Sequence, residues 1–170
     1  MNVVIGCGLQ KSYFSKAGSK YLGDRADILK VRLEGFLKSV DPSTTAMYLI
    51  REVHQPNDKF YLNSKTHAIV GTEDIEVPEI FKAYFKFVIN TTRPGAFYKT
   101  PLDSEISKLK PQIVYIIGVE THTNVLFTAE EFRNRDYPVT VYEALVTAED
   151  DYQHALGISI LSNTLSVKVV

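Results

Sequence analysis

The clearest metal-type chemistry in the sequence lies in Glu52, His54 and His67. Glu52 and His54 stand two apart at the end of a strand-like run, so their side chains leave the same face. His67 follows 13 residues later. One carboxylate and two imidazoles suit zinc, iron or manganese, with positions left open for water or a ligand atom. Spacing alone does not separate such ligands from ordinary loop histidines, which are the commoner case. Other polar residues also follow apolar runs: Gly8-Leu9-Gln10, Glu52-Val53-His54, Asn90-Thr91-Thr92, and Glu120 through Asn124 after Gly118-Val119. The single cysteine, Cys7, directly precedes Gly8. Adjacent strand residues point to opposite faces, so Cys7 is expected to face away from whatever position 8 faces, as a buried structural residue.

Such residues need rigid elements behind them. Val3 to Cys7, Ala46 to Ile50 and Gln112 to Gly118 are short apolar runs without polar alternation, the pattern of strands covered on both faces. Phe85 to Ile89, Pro138 to Tyr142 and Leu165 to Val170 read as three more strands. Between them lie helical patterns. Gly23-Asp24 opens one that runs to about Val40, and Asp103 to Leu109 is a short one capped by Asp103 or Ser104. Asn124 to Arg135 and Asp150 to Ser162 complete the set. This alternation predicts an α/β domain with a mostly parallel sheet and right-handed crossovers. Ligands of such sheets sit beyond the carboxyl ends of the strands, where the polar residues above cluster. The segment from Arg51 to Glu79 is too long for a plain connection and is expected to be functional.

The chain has 170 residues, 45% hydrophobic and 23% charged, which fits one domain spanning 1–170 with a full core. A formal net charge of -1 supplies no single-sign field, which excludes non-specific nucleic-acid binding as a driving role. The first apolar run is broken by Gly6 and Gly8, too short for a signal peptide or a membrane span. One cysteine allows no internal disulfide and fits a reducing, cytoplasmic setting.

The run Gly118-Val119-x-Thr121-x-x-Asn124-Val125-x-x-Thr128-Ala129 resembles the nucleophile turn of the isochorismatase-like cysteine hydrolases, nicotinamidases in particular. Tyr137-Pro138-Val139-x-Val141, Glu143-Ala144 and Ala96-Phe97 with Thr100-x-Leu102-Asp103 extend the likeness. Its most specific part is His54-x-x-Asn57-Asp58-x-Phe60, Ser64-Lys65 and His67-x-x-x-Gly71-Thr72, which looks like the metal loop of bacterial nicotinamidases. The resemblance implies a three-layer α/β/α Rossmann-like fold, with a mostly parallel six-stranded sheet and helices on both faces. It implies a metal held by Glu52, His54 and His67, with Glu52 in place of an aspartate and Asn63 where some members carry a glutamate ligand. It places Tyr13, Phe14, Arg93, Phe97 and His122 around the substrate pocket.

The same resemblance puts the family's catalytic aspartate at Gly8, its lysine at Thr91 and its cysteine at Asn124. A one-residue slip would give Leu9 instead of Gly8, and neither takes a proton. Asn124 is neutral and weakly nucleophilic, whereas a cysteine works as an anionic sulfur. Asn is a favoured N-cap, and Asn124 opens a helical pattern, so its side chain is expected to cap that helix. Some superfamily members cleave a vinyl ether on the aspartate alone, and Gly8 closes that route. Arg93 either lends charge to the pocket or is a solvated loop residue. His122 either edges the pocket or is a polar loop residue, and His154 is expected to be structural.

Two functions follow. In the first, the chain is a degenerate member that binds a small amide or nicotinamide-like ligand without cleaving it, as a homo-oligomer or as partner of an active homologue. In the second, it is an active amide hydrolase, in which a metal-activated water gives its proton to Glu120 or Glu143.

Overall fold

The computed structural model describes residues 1–61 and 66–170, so Asn63, Ser64 and Lys65 lie outside the described residues. Six strands form one parallel sheet in the order β3-β2-β1-β4-β5-β6. They are β1 (Asn2–Cys7), β2 (Thr45–Glu52), β3 (Phe87–Thr91), β4 (Val114–Val119), β5 (Val139–Thr147) and β6 (Lys168–Val169). The four longer helices are α2 (Asp24–Ser39), α4 (Leu102–Leu109), α5 (Leu126–Arg133) and α6 (Asp151–Asn163). One-turn helices α1 (Lys11–Phe14) and α3 (Glu79–Lys82) sit in the connections.

Strand alternation sorts the core into two halves. Val3, Ile5 and Cys7 of β1 face α4, α5 and α6, where they meet Ile106, Ala129, Phe132 and Leu161. Val4 faces the other way, onto Leu29, Leu33 and Leu37 of α2 and the aromatic rings of Phe14 and Phe81. Every connection between sequential parallel strands must cross a face, so helices cover both sides and the three-layer expectation holds. The chain reverses its direction of strand addition between β1 and β4, and the carboxyl ends of these two strands diverge into a crevice.

Three boundaries differ from the sequence reading. The third strand is Phe87–Thr91, two residues later than its apolar run. Phe85 instead turns into the core, where its ring lies against Gly6; a Cβ there would stand 2.9 Å from Phe85 Cζ. β3 is an edge strand, so it tolerates exposed Phe87 and Val88 and does not need a continuous apolar run. The fifth strand runs on to Thr147 through an irregularity opposite Ile116 and Gly118, and the sixth shrinks to two residues. Among the described residues no helix is long and apolar enough to cross a membrane.

Candidate metal centre and ligand pocket

Glu52 ends β2 as a buried carboxylate, 3% exposed. Its backbone is fixed by Gln10, which follows β1: Gln10 Oε1 accepts from Glu52 N at 2.8 Å, and Gln10 Nε2 donates to Glu52 O at 3.1 Å. Gln10 Nε2 also reaches Asp74 O at 3.3 Å. Asp74 in turn accepts from Ala68 N at 3.2 Å and Ser19 N at 3.1 Å, and from the Ser19 hydroxyl. One buried amide and one aspartate thus tie the end of β2, the loop at His67 and the loop at Ser19 into a single frame. The sequence reading passed over Asp74, and no local pattern marks it.

The three proposed metal ligands do meet. Their ligand atoms lie within 4.8 Å of one another, and all three residues are buried. Glu52 Oε1 is 3.4 Å from His54 Nε2 and 3.2 Å from His67 Nε2. Two ligand atoms bonded to one zinc at tetrahedral angles lie ~3.3 Å apart, so the donors already have the spacing of a shared ion. The buried Nδ1 of His54 has no hydrogen-bond partner among the described residues. The donor set and its spacing fit a divalent ion held by Glu52 Oε1 and the two imidazole Nε2 atoms.

The other carboxylate oxygen is engaged. Glu52 Oε2 accepts from Tyr13 Oη at 2.7 Å and from Asn124 Nδ2 at 2.8 Å. Burial alone would push the carboxyl up. Hydrogen bonds from His54, His67 and Tyr13, and the nearby His67 charge, outweigh it and hold the group well below the usual carboxylate range. Tyr13 lies beside Gly8, whose φ is +62°. A Cβ at Gly8 would stand 2.7 Å from Val119 O and 3.3 Å from Tyr13 Cε2. The absence of a side chain there leaves the crevice wall to the tyrosine.

Asn124 does not cap a helix, contrary to expectation. The residue opening the turn is Glu120, and Thr121–Val125 form a single π-helical turn that runs into α5. Asn124 already has helical neighbours on both sides, so its amide is free to turn inward onto Glu52. His154 Nδ1 is 2.8 Å from Thr121 Oγ1 and braces this turn from α6.

The remaining predicted residues divide. Tyr13, Glu52, His67 and Asn124 line one cavity of about 290 Å3, with Lys20, Glu120, Phe60 and Phe127. Arg93 lines an adjoining recess with Phe60, Tyr98 and Phe127. It is part-buried and engaged: it pairs with Asp58 at 2.9 Å and lies 4.8 Å over the Phe60 ring. Phe14 is packed on Phe81, and Phe97 on Phe132, both away from the cavity. His122 is not among the cavity's lining residues. Thr91 is 2% exposed and closes a turn, its Oγ1 3.0 Å from both Arg93 O and Gly95 O. Cys7 lies on the opposite side of β1, 3.7 Å from Thr128 Oγ1, and burial pushes its thiol up to about 12. Glu143 is exposed and 3.6 Å from His154 Nε2, outside the cavity. Glu120, by contrast, is 3% exposed and pairs with Lys20 Nζ at 2.8 Å on the cavity wall. The sequence offered Glu120 as a proton acceptor but gave no sign of Lys20, which is 100 residues away.

The family model described as the isochorismatase domain matches residues 4–168. An uncharacterized isochorismatase family protein of Bacillus subtilis, YaaI, is 26% identical over 75 residues, 44% of this chain and 41% of that protein. The matched stretch therefore spans under half of that relative's length. The crystal structure of a pyrazinamidase/nicotinamidase from Streptococcus mutans superposes with a TM-score of 0.88 at 18% identity, covering 100% of both chains. That of a Pyrococcus horikoshii pyrazinamidase in complex with zinc superposes with a TM-score of 0.83 at 16% identity, over 99% of this chain and 98% of that one. At such identities the structures share the fold. With nearly its whole length matched by the domain model, the chain belongs to the isochorismatase family.

Proposed function

We propose that this chain is a non-hydrolytic member of its family: it holds a divalent metal at Glu52, His54 and His67 and binds a small planar amide or its parent acid without cleaving it. The observation that carries this reading is the 2.8 Å hydrogen bond from Asn124 Nδ2 to Glu52 Oε2. The position that the resemblance gives to a thiolate holds a neutral donor, and that donor is committed to the carboxylate of the metal site. Gly8 and Thr91 offer no base and no cation to replace the rest of the constellation. Members of a catalytic constellation act together, so replacing all of them removes nearly all of the covalent rate. A bound ion would supply Lewis acidity and a positive charge. The chain's own residues would orient the ligand: Asn124 and Tyr13 by fixing Glu52, Phe60 and Phe127 by flanking the ring. The nicotinamidase and pyrazinamidase neighbours favour an amide-type ligand. A role as a homo-oligomer or as binding partner of an active homologue, in the cytoplasm, is part of the same proposal.

The test is ammonia release from nicotinamide, pyrazinamide and carbamoyl compounds by purified, zinc-loaded protein. No release above the protein-free rate is expected. Sustained turnover that disappears in Asn124→Ala contradicts the reading.

One observation favours a second reading. Glu120 is a buried carboxylate on the cavity wall, close enough to the metal cluster to share its cavity. In this reading Glu120 takes a proton from an attacking water. Turnover abolished by a chelator, by His54→Ala and by Glu120→Gln would select it over the first.

A further inference from the structure

The Lys20–Glu120 pair has no role in holding the metal, yet it forms one wall of the same cavity. We infer that Lys20 is the anchor for a ligand carboxylate, so that this pocket selects a planar aromatic acid over the matching amide. The inference rests on the proposed metal-holding, non-cleaving function and names its ligand.

Three observations lead there. The first is donor supply. An ammonium has three N–H donors, and among the described residues the hydrogen-bond partner of Lys20 Nζ is Glu120 Oε2 alone. Two donors stay available on a side chain that lines the cavity and is 23% exposed. The second is preorganisation. The loop that carries Lys20 is pinned at both sides: Ser19 binds Asp74 through its backbone and its hydroxyl, Lys20 N donates to Ser12 O at 2.9 Å, and Leu22 N donates to Tyr13 O at 3.2 Å. Gly18 lets this loop lie flat on α1, since a Cβ there would stand 2.2 Å from Lys11 O. A held ammonium loses little freedom on binding an anion.

The third is charge. With the imidazoles neutral, Glu52 and Glu120 against Lys20 leave the cavity with one net negative charge. A divalent ion at Glu52, His54 and His67 reverses it to one net positive charge, with both imidazoles neutral as ligands. A loaded pocket therefore attracts a monoanion, and an amide gains nothing from that field. Lys20 Nζ lies over the face of the Tyr13 ring, 5.5 Å from its centre, and the hydroxyl of that ring donates to Glu52. The ammonium and the metal cluster thus both border Tyr13 and line one cavity. A single-ring acid can keep its carboxylate on Lys20 and its ring against Phe60 and Phe127, in the cavity that Glu52 and His67 also line.

The experiment is calorimetric titration of zinc-loaded protein with benzoate and benzamide, which share one shape and differ in charge. Benzoate is expected to bind about tenfold tighter, the scale of one charge-assisted hydrogen bond. Chelation should remove the preference, and Lys20→Met should remove it with zinc still bound. Lys20→Arg should keep it. Glu120→Gln should strengthen benzoate binding several-fold by freeing the ammonium, and it carries the test if Lys20→Met fails to fold. Equal or weaker binding of benzoate, no binding of either compound, or a preference that survives Lys20→Met overturns the inference. Zinc content and ammonia release measured on the same samples report on the reading beneath it. Protein that takes up no zinc, or that cleaves benzamide, defeats that reading. Loaded, non-cleaving protein without acid preference defeats this inference alone.

Discussion

At the scale of single residues, the site turns on what Asn124 and Gly8 do. Asn124 holds one oxygen of Glu52, leaving the other to face the two imidazoles. Groups that orient a metal ligand typically change affinity by 10–100-fold when removed. Asn124→Ala is therefore expected to weaken zinc binding by roughly tenfold, read by competition with a chromophoric chelator. Unchanged affinity would show that the hydrogen bond does not position the carboxylate. Asn124→Cys should yield no amidase, because no base stands at position 8 to ionise the thiol. Placing an aspartate there meets a further obstacle. Gly8 has φ +62°, and its Cβ direction points at Val119 O 2.7 Å away. Gly8→Asp should cost about 2 kcal/mol or more through backbone strain and contact. A melting temperature within 1–2 °C of the parent, by the ~2–4 °C per kcal/mol expected at this size, would contradict that.

At the scale of elements, Gln10 is the clamp between the ends of β1 and β2. Its side chain is fully buried and satisfies both backbone groups of Glu52. Gln10→Leu leaves those groups unpaired, an expected loss of about 2–4 kcal/mol in urea unfolding with an unchanged m-value, together with weaker zinc binding. Loss of stability without loss of zinc affinity would separate the clamp from the site. The elements themselves were largely legible in the sequence. Buried strands such as Val3–Cys7 and Val114–Val119 announce themselves as apolar runs, because both faces of a central parallel strand are covered. The edge strand was placed two residues early, since Phe85 is apolar for a contact with Gly6 and not for strand burial. Asn124 was misjudged as a cap because capping preference is a local rule, whereas the π turn begins three residues earlier and the amide's partner lies on β2. Glu52, His54 and His67 could be grouped from spacing and resemblance. Lys20 and Asp74 could not, because they enter the site through contacts 100 and 55 residues distant in sequence, from loops without a motif.

At the scale of the molecule, the sheet gives the two sides of β1 different fates. The crevice side carries the cavity, and the far side buries Cys7 against Thr128. Its thiol is raised from 9.0 to about 12, chiefly by burial. The folded state favours the neutral thiol, so this contribution to stability is intact below pH 9 and is lost as pH rises from 9 towards 12. Iodoacetamide at pH 8 should leave the native protein unlabelled and label it fully in denaturant; rapid native labelling would expose Cys7 as an available nucleophile. Metal should couple to global stability as well. Zinc at a hundred times its dissociation constant adds about 2.7 kcal/mol, or a rise of roughly 5–10 °C in melting temperature, reversed by chelation and absent in His67→Ala. The most direct measurement is anomalous diffraction at the zinc edge from crystals of the loaded protein. A single peak between Glu52 Oε1, His54 Nε2 and His67 Nε2, with Asn124 Nδ2 still on Glu52 Oε2, is the predicted result. No peak at these three atoms, or an Asn124 side chain turned out to cap α5, would contradict the account.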